Sequence, residues 1–385
     1  MTEKPHVSRR RFIGAAGLAA TGVAANVPLV GSLPASALEN VVGANEYLRL
    51  GWLGVGRRGT SLLNAALASV SVSTLKVSAI CDLHAERRQA AVSKCGGMNP
   101  IGVADYHELV ERKDVDAVVI ATPIHLHSEH AVAALSAGKH VYCEKPLGRN
   151  PEEVKAVYDA VKRSGRRFQV GFQWRYQGGF RAFVDTVQSG TVGDVRLVLA
   201  QRHAGGYPTD GWYVDRNLSG DLIVEQAVHE MNIFCWMLKS HPLRAAGFGG
   251  INELRGVPPE RTIMDHYVLS YEFPRNVTLR YSHCIYSPSG FDDGLRFTIY
   301  GSDKRGAEYR GTSLSVTQNG KRTPVKLAPW GNATQAAIQA FAQAVREDSE
   351  PLCNVDAGRA ATLMAILGRT ALHERRVVEW DEVAL

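Results

Sequence analysis

Several features that mark specialised classes of protein are absent from this sequence. Beyond about the first 30 residues, no apolar run is long enough to cross a bilayer. The six cysteines form neither a C-x-x-C pair nor a zinc-ligand spacing, which argues against a zinc site and a disulfide framework. His125, His127 and His130 lack acidic partners at ligand spacing, so no metal site is predicted. The formal net charge of +6 is modest and half of it comes from residues 1–37, so no nucleic-acid-binding surface is indicated.

What is present begins with a leader. Residues 8–14 read Ser-Arg-Arg-Arg-Phe-Ile-Gly and precede an Ala- and Gly-rich apolar stretch that ends near Val30, with a small-residue cleavage pattern at 35–37. The segment resembles a twin-arginine export signal, and its glycines argue against the alternative of a membrane anchor. The twin-arginine export machinery carries proteins that fold, and often bind a cofactor, before export. We therefore expect residues 1–37 to direct a folded protein to the periplasm or the cell exterior.

Residues 46–172 alternate short apolar runs with helical stretches. This alternation predicts an α/β domain of the Rossmann type, with a doubly wound parallel sheet. The predicted strands are 48–53, 75–81, 117–121, 140–143 and 168–172, and the predicted helices are 60–68, 85–93, 128–137 and 152–164.

Residues 173–385 have a different pattern, in which apolar and polar residues alternate over short segments. Such segments at 195–203, 266–273, 277–286, 295–300 and 313–318 predict a second α/β domain with a large, mostly antiparallel open sheet. Helical patterns at 222–238, 333–347 and 357–373 are expected to pack against this sheet or against the first domain. The chain is long enough for the two domains to share a cleft.

A glycine motif joins the first predicted strand to the first predicted helix. Gly54, Gly56 and Gly59 fit G-x-G-x-x-G, where a tight turn, a close backbone approach to a pyrophosphate and helix-to-strand packing each require a missing side chain. The N-terminus of the next helix would offer unpaired N–H groups to the phosphates. The motif in this context predicts a dinucleotide site, and the alternative is a glycine-rich turn without a cofactor.

Asp82 indicates which dinucleotide the site would bind. It ends the second predicted strand, 23 residues after Gly59, where a carboxylate accepts hydrogen bonds from the adenosine ribose and repels the extra phosphate of NADP. We therefore predict NAD. Arg57 and Arg58 leave open the alternative of NADP, because they could bind its 2'-phosphate, and both are expected at the cofactor site.

Two further motifs follow neighbouring predicted strands, at the edge where doubly wound sheets bind ligands. Thr122, Pro123 and His127 follow the third strand, and Glu144-Lys145-Pro146 follows the fourth. With the glycine motif, this pairing resembles the family of glucose-fructose oxidoreductase, inositol dehydrogenase and MocA over nearly the whole chain after the leader. The resemblance implies a second domain often used for oligomerisation, hence a homodimer or homotetramer. It also implies that Thr122, Pro123, His127, Glu144 and Lys145 line the cofactor site.

The resemblance assigns roles at the reacting centre as well. Lys145 would lie between the nicotinamide and the reacting hydroxyl, where its ammonium donates to the substrate oxygen. A second family run is matched around His229, and on a helix Glu225, His229 and Asn232 share one face. His229 would then be the general base, with Glu225 also catalytic. The alternative for a lone helical histidine is a satisfied core residue.

Other candidates carry weaker signals. Asn232 and Glu225 both stand where the family has Asp, and Asn232 removes a charge near the base. Arg175 and Asn232 are predicted to bind substrate, although a structural ion pair is an equal alternative for Arg175. Tyr207 and Trp212 lie in an aromatic-rich loop that could stack on a sugar or could be a packed surface loop.

Three functions follow from these residues. The first, favoured by the intact Lys145 and His229, is an NAD-dependent oxidoreductase that acts on a secondary hydroxyl of a sugar, glycoside or cyclitol. Because free NAD is scarce outside the cytoplasm, an exported enzyme would keep its cofactor bound, and a second, ketone-bearing substrate would recycle it. The second is an NAD-dependent glycosidase that oxidises the sugar transiently at position 3 and eliminates the aglycone, although the exported enzymes of that kind lack an intact Glu-Lys-Pro. The third is a non-catalytic sugar or cofactor sensor.

Overall fold

The computed structural model describes residues 47–69, 75–206, 210–288, 290–291, 294–329 and 331–385. The predicted export signal at residues 1–37 and the predicted substrate residue Tyr207 therefore lie outside the described residues. Among the helices in the described part of the chain, none combines the length and the apolar character needed to span a membrane.

The first half of the chain forms a parallel sheet from short, continuous apolar runs. Its strands are β1 (Leu48–Leu53), β2 (Leu75–Cys81), β3 (Ile101–Val103), β4 (Ala117–Ile120), β5 (His140–Cys143) and β6 (Phe168–Val170). In β1 five of the six residues are buried, as expected for a strand covered on both faces. The order is β3-β2-β1-β4-β5-β6, so the direction of winding reverses between β1 and β4. Ligands of such sheets bind at that reversal, outside the carboxyl ends of the strands.

Five helices from the first half of the chain pack on this sheet, and local sequence signals determine their ends. They are α1 (Arg57–Ala68), α2 (Ala85–Lys94), α3 (Tyr106–Val110), α4 (His127–Ser136) and α5 (Pro151–Ser164). At the start of α5, the Asn150 side chain accepts the Glu153 N–H at 2.9 Å, and Pro151 occupies the first helical turn. The helix ends at Gly165, whose φ of +62° places it in the left-handed region that favours glycine.

The second sheet has nine strands, mostly antiparallel. They are β7 (Val195–His203), β8 (Arg244–Gly250), β9 (His266–Phe273), β10 (Val277–Cys284), β11 (Gly294–Gly301), β12 (Gly306–Arg310), β13 (Ser313–Gln318), β14 (Lys321–Val325) and β15 (Val378–Glu379). Their order is β14-β13-β12-β11-β7-β10-β9-β8-β15, and β7 and β10 are parallel neighbours. In β9 every second residue, from Tyr267 to Phe273, is buried, so only one face of the sheet meets the core.

Helices from the second half of the chain pack on both sheets. They are α6 (Gly178–Gln188), α7 (Arg216–Ser219), α8 (Val228–Leu238), α9 (Ala333–Arg346) and α10 (Val355–Glu374). Helix α10 lies between the layers, with twelve buried residues that contact α8, α5 and β8. Helix α9 returns to the first sheet and packs against α1. There Phe341 lies edge-on to Tyr142 with ring centroids 5.9 Å apart, and the carbonyl of Ala337 accepts a hydrogen bond from the Gln169 side chain at 2.8 Å.

The fold predicted from the sequence is confirmed: an N-terminal Rossmann sheet is followed by an α/β part with a mostly antiparallel open sheet. Among the elements that the sequence pattern missed, β3 has three residues and β8 reads Arg-Ala-Ala-Gly-Phe-Gly-Gly, whereas the missed helix α6 is longer and buries apolar residues on one face. The predicted helix 222–238 is interrupted: residues Ile223–Ala227 form a π-helical turn before α8 begins. This wider turn changes which side chains share a face.

Candidate functional site

The turn between β1 and α1 is built around its glycines. Gly54 has φ +86°, and a Cβ there would lie 2.8 Å from the carbonyl oxygen of Ala121 on the neighbouring strand end. A Cβ on Gly59 would lie 2.0 Å from the Gly54 carbonyl oxygen, so helix and strand approach too closely for any side chain. Gly56 has no heavy atom within 4 Å of its would-be Cβ. Two glycines therefore pack tightly, and the third leaves open space at the mouth of the turn.

The start of α1 is suited to an anion. Gly56 precedes the helix and offers no side-chain cap, and the first helical turn contains no acidic residue. The first N–H groups of a helix lack partners within the helix, and the helix dipole adds positive potential at this end. A diphosphate placed over Gly56 would satisfy both. The residues present therefore fit the dinucleotide that the sequence predicts.

Asp82 occupies the position expected of a ribose-binding acid. One carboxylate oxygen accepts the Val55 N–H at 2.9 Å, and the other accepts the His84 N–H at 2.9 Å. These bonds fix the carboxylate beside the glycine turn and on the wall of the same cleft. Leu83, with 82% of its surface exposed, follows on the cleft wall, where an apolar base could cover it.

The structure separates the two arginines of the glycine motif. The Arg58 Nε lies 2.7 Å from the Glu144 carboxylate, and Arg58 also donates to the Thr334 hydroxyl at 3.1 Å. Arg58 thus lines the cleft while serving as the counter-ion of a nearly buried carboxylate, which opposes its alternative role at a 2'-phosphate. Arg57 is exposed, and its guanidinium carbon lies 6.0 Å from the ring centroid of Tyr213.

Replacing Arg58 with Ala is expected to lower the free energy of unfolding by about 3 kcal/mol, because the Glu144 carboxylate would stay buried without its counter-ion. Urea unfolding followed by circular dichroism measures the loss. The matched control is Arg49→Ala, which removes the half-exposed Arg49–Asp116 pair and should cost about 1 kcal/mol or less. Equal losses of unfolding free energy in the two variants would show that the burial of Glu144 does not increase the cost of removing its counter-ion.

His127 connects the ends of β4 and β5. It is buried, its Nδ1 lies 2.8 Å from the Pro146 carbonyl oxygen, and its Nε2 lies 2.9 Å from the Thr122 carbonyl oxygen. Burial lowers the pKa of His127 despite these two acceptors. Within the described residues, no three His, Cys, Asp or Glu side chains are grouped as metal ligands. His127 therefore holds the backbone on both sides of the cleft edge, next to Lys145.

Lys145 and Glu225 meet across the two halves of the chain. The Lys145 Nζ lies 2.8 Å from a Glu225 carboxylate oxygen and also donates to the Glu225 backbone carbonyl. Each side chain is 12% exposed, and both line the cleft that begins at the glycine turn. Two of the three ammonium hydrogens are thereby used, which leaves one for a ligand oxygen.

His229 lies on the first turn of α8 and, unlike Lys145 and Glu225, is not among the described residues that line the cleft. Its ring stacks on Trp174 with centroids 4.8 Å apart and meets the edge of Phe172 at 6.0 Å. Burial, followed by the positive charges of Lys145 and Arg202, holds the pKa of His229 well below its usual range. Its Nδ1 is buried without a hydrogen-bond partner among the described residues. The imidazole is therefore neutral at pH 7.

Arg175 and Asn232 do not lie where the sequence predicted. The Arg175 Nε donates to the Asn232 side-chain oxygen at 2.8 Å, a second nitrogen donates to the Leu352 carbonyl at 3.0 Å, and the guanidinium lies 5.0 Å from the Trp236 ring centroid. Both residues are buried, and neither lines the cleft among the described residues. Their side chains bind each other, and Asn232 is buried whereas Glu225 lines the cleft; substrate binding by Arg175 or Asn232 stays a prediction.

Other polar residues near His229 were missed at the sequence level. Glu230 is fully buried, and burial raises its pKa. Its carboxylate lies 3.2 Å from Arg202, whose guanidinium lies 5.7 Å from the Trp174 ring centroid. The period of two in β7 could have indicated Arg202, since it shares a strand face with the buried Val198.

One cleft joins most of the predicted site residues, with a volume of about 1390 Å³. Of the second sheet's connections, the segment between β7 and α7 contributes Asp210, Gly211, Trp212 and Tyr213 to its wall. The predicted residues along this cleft are Gly54, Gly56, Arg57, Arg58, Asp82, Thr122, Pro123, His127, Glu144, Lys145, Trp212 and Glu225. A cleft of this volume that contains both a glycine turn suited to an anion and the Lys145–Glu225 ion pair fits a dinucleotide and a small polar molecule.

The fold and this cleft match a family described as NAD-binding oxidoreductases with a Rossmann fold. A family model described as "Oxidoreductase family, NAD-binding Rossmann fold" matches residues 48–172, and a second, described as "GFO/IDH/MocA C-terminal domain", matches residues 180–305. Together they cover more than half of the chain. The chain therefore belongs to the Gfo/Idh/MocA oxidoreductase family, as its motifs indicated.

The relatives of this chain include inositol dehydrogenases. An inositol 2-dehydrogenase of Salmonella typhimurium is 34% identical over 192 residues, which are 50% of this chain and 54% of that protein. The match thus spans about half the length of this relative. A myo-inositol 2-dehydrogenase of Thermotoga maritima is 24% identical over 355 residues, 87% of this chain and 99% of that protein. The solved structure of a levoglucosan dehydrogenase with NADH and levoglucosan shares the fold, with a TM-score of 0.75, 19% identity, and 86% and 99% coverage of the two chains.

Proposed function

We propose that this protein is an NAD-dependent oxidoreductase that transfers hydride between a secondary hydroxyl of a sugar, glycoside or cyclitol and a tightly bound nicotinamide. The observation that carries the proposal is the contact between Lys145 and Glu225, which face one cleft with the glycine turn. The names of the relatives, which act on inositol, support a polyhydroxylated substrate.

The chain's own residues account for the proton chemistry. A bound nicotinamide supplies the hydride acceptor for the carbon that carries the hydroxyl. Lys145 uses its remaining N–H to bind and orient that hydroxyl oxygen, and Glu225 holds the ammonium in place through two contacts. We assign the hydroxyl proton to His229, whose neutral ring stacks on Trp174 within electrostatic range of Lys145.

Export and assembly are part of the proposal. Outside the cytoplasm free NAD is scarce, so a bound cofactor would be reoxidised by a second, ketone-bearing substrate, and the kinetics would be ping-pong. Exposed Phe248 and Val268 are neighbours on the outer face of the second sheet, which supports assembly into a homodimer or homotetramer through that face. Light scattering on the purified protein measures the subunit count, and fractionation of expressing cells locates it.

The test of the proposal uses the purified full-length protein. The bound nucleotide is released and identified, and the protein is then screened against a panel of sugars and cyclitols for growth of reduced-nicotinamide absorbance. We expect NAD and at least one oxidised sugar. Release of phenol from a nitrophenyl glycoside without net NADH would instead support the glycosidase. Bound NAD with no reaction on any sugar or glycoside would support a sensor.

The preference for NAD follows from Asp82. Its fixed carboxylate would repel the 2'-phosphate of NADP, so we expect NAD to bind at least about tenfold more tightly, about 1.4 kcal/mol. Replacing Asp82 with Ser and Leu83 with Arg should remove this preference. Fluorescence titration with NADH and NADPH measures it, with Asp159→Ser as the surface control. An unchanged ratio of the two affinities in the double variant would contradict the role of Asp82.

A further inference from the structure

Tyr213 is an aromatic residue that the second half of the chain places beside the glycine turn. It lies in the short 3-10 turn Gly211–Tyr213, between β7 and α7, and lines the same cleft as Gly54 and Gly56. Its ring is half-buried, and burial raises the pKa of its hydroxyl, so it stays neutral at physiological pH. The connection between β7 and α7 thus brings the Tyr213 side chain to the glycine turn of the first sheet.

The contact that Tyr213 makes there is with Arg57. This arginine is the first residue of α1, at the helix end that would receive a diphosphate. Its guanidinium carbon lies 6.0 Å from the Tyr213 ring centroid, within the range of a cation–π interaction. Trp212 stacks on Tyr213 with centroids 3.8 Å apart. The Tyr213 ring therefore contacts both the Trp212 indole and the guanidinium at the first residue of α1.

The backbone beyond Tyr213 is firmly anchored. Val214 is fully buried, and its carbonyl accepts the Thr262 N–H at 3.0 Å. The Thr262 hydroxyl in turn accepts the Arg216 N–H at 2.8 Å, and the Asp215 side chain caps α7. Tyr213 is consequently carried by a fixed support, which allows its ring to resist displacement.

We propose that Tyr213 and Arg57 form a bridge across the diphosphate of a bound dinucleotide and determine how slowly it dissociates. The inference rests on the proposed function only in taking a nicotinamide dinucleotide as the ligand. A diphosphate at Gly56 would lie beside the Arg57 guanidinium, which can donate to it, in the cleft that Tyr213 also lines. The dinucleotide leaves only after the bridge opens.

The test measures dissociation instead of turnover. Full-length protein is loaded with NADH, excess NAD is added, and the loss of NADH fluorescence gives the dissociation rate. Tyr213→Ala is expected to raise this rate at least about tenfold. Tyr213→Phe keeps the aromatic face but removes the hydroxyl that interacts with the Arg57 side chain, so its rate should lie between those of the parent and Tyr213→Ala. Tyr300→Ala, on the exposed face of the second sheet, is the matched control and should leave the rate unchanged.

A double variant separates a bridge from two independent contacts. If Arg57 and Tyr213 act together, Arg57→Ala and Tyr213→Ala combined should raise the rate no more than the larger single change. The proposal is overturned if Tyr213→Ala releases NADH at the parent rate, if Tyr213→Phe is as fast as Tyr213→Ala, or if the parent binds no dinucleotide. If the parent protein binds NADH but oxidises no sugar, the proposed function is wrong, and the dissociation rates still test the bridge.

Discussion

Replacing Lys145 with Met lowers turnover by about 10²–10⁴-fold while the protein keeps its dinucleotide. The reason is the position of the ammonium, which has one N–H left for the substrate after its two contacts with Glu225. Loss of this donor removes both the orientation of the hydroxyl and the charge that favours its ionisation. Steady-state rates on the best sugar, with the nucleotide content of each preparation, measure the effect.

Two further variants make the Lys145 result interpretable. Lys155→Met removes an exposed lysine that pairs with Asp159, and it should have parental activity. Lys145→Arg keeps the positive charge beside Glu225 and therefore the fold, yet its larger fork cannot place a donor at the same point. Parental turnover in Lys145→Met, at full nucleotide occupancy, would exclude this residue from the chemistry.

Replacing His229 with Asn lowers kcat/KM by a comparable factor of about 10²–10⁴ and changes its pH dependence. Because burial and nearby cations lower the pKa of His229 in the folded protein, the imidazole stays neutral as pH falls through 6.5. Parental activity should therefore persist below pH 6.5 and fall only when this histidine is finally protonated. The variant should lose that acidic limb.

The pH profile needs a check on folding, since the same shift affects stability. The unfolded chain takes up a proton at this histidine near pH 6.5, whereas the folded chain does not, so stability decreases as pH falls below 6.5. Circular dichroism at each pH defines the range in which rates are valid. His241→Asn, which alters a histidine stacked on Trp380, is the control. If the acidic limb of the pH profile persists in His229→Asn, a group other than His229 causes it.

Much of the framework could be predicted from local pattern. The strands of the first sheet are continuous apolar runs, and the glycine turn has a steric signature that needs no tertiary context: Gly54 and Gly59 leave no room for a side chain. The strand ends that bear Thr122 and Lys145 meet because parallel strands present their carboxyl ends at one edge. These signals are short in range, so the sequence alone expresses them.

What could not be predicted depends on tertiary contacts. A uniform helical period places Glu225, His229 and Asn232 on one face, but the π-helical turn at Ile223–Ala227 alters the phase, and Asn232 faces inward to Arg175. Likewise, Arg58 pairs with Glu144, which lies 86 positions away in the sequence. The sequence at Arg57 and Arg58 could not show that this pairing opposes a role of Arg58 at the 2'-phosphate of NADP. Which charged residues pair with each other depends on tertiary contacts, which the local sequence does not show.

Helix α9 has a consequence for how the protein is made. It covers α1 and the first sheet, and it supplies Thr334, which binds Arg58 across 276 positions of sequence. The N-terminal half therefore cannot complete its core when it leaves the ribosome; it must wait until residues 333–346 have been synthesised. Such long-range closure slows folding. A truncated protein that ends between the two sheets would expose part of Leu62, Leu63 and Tyr142. Such an exposed apolar surface is recognised by chaperones and proteases.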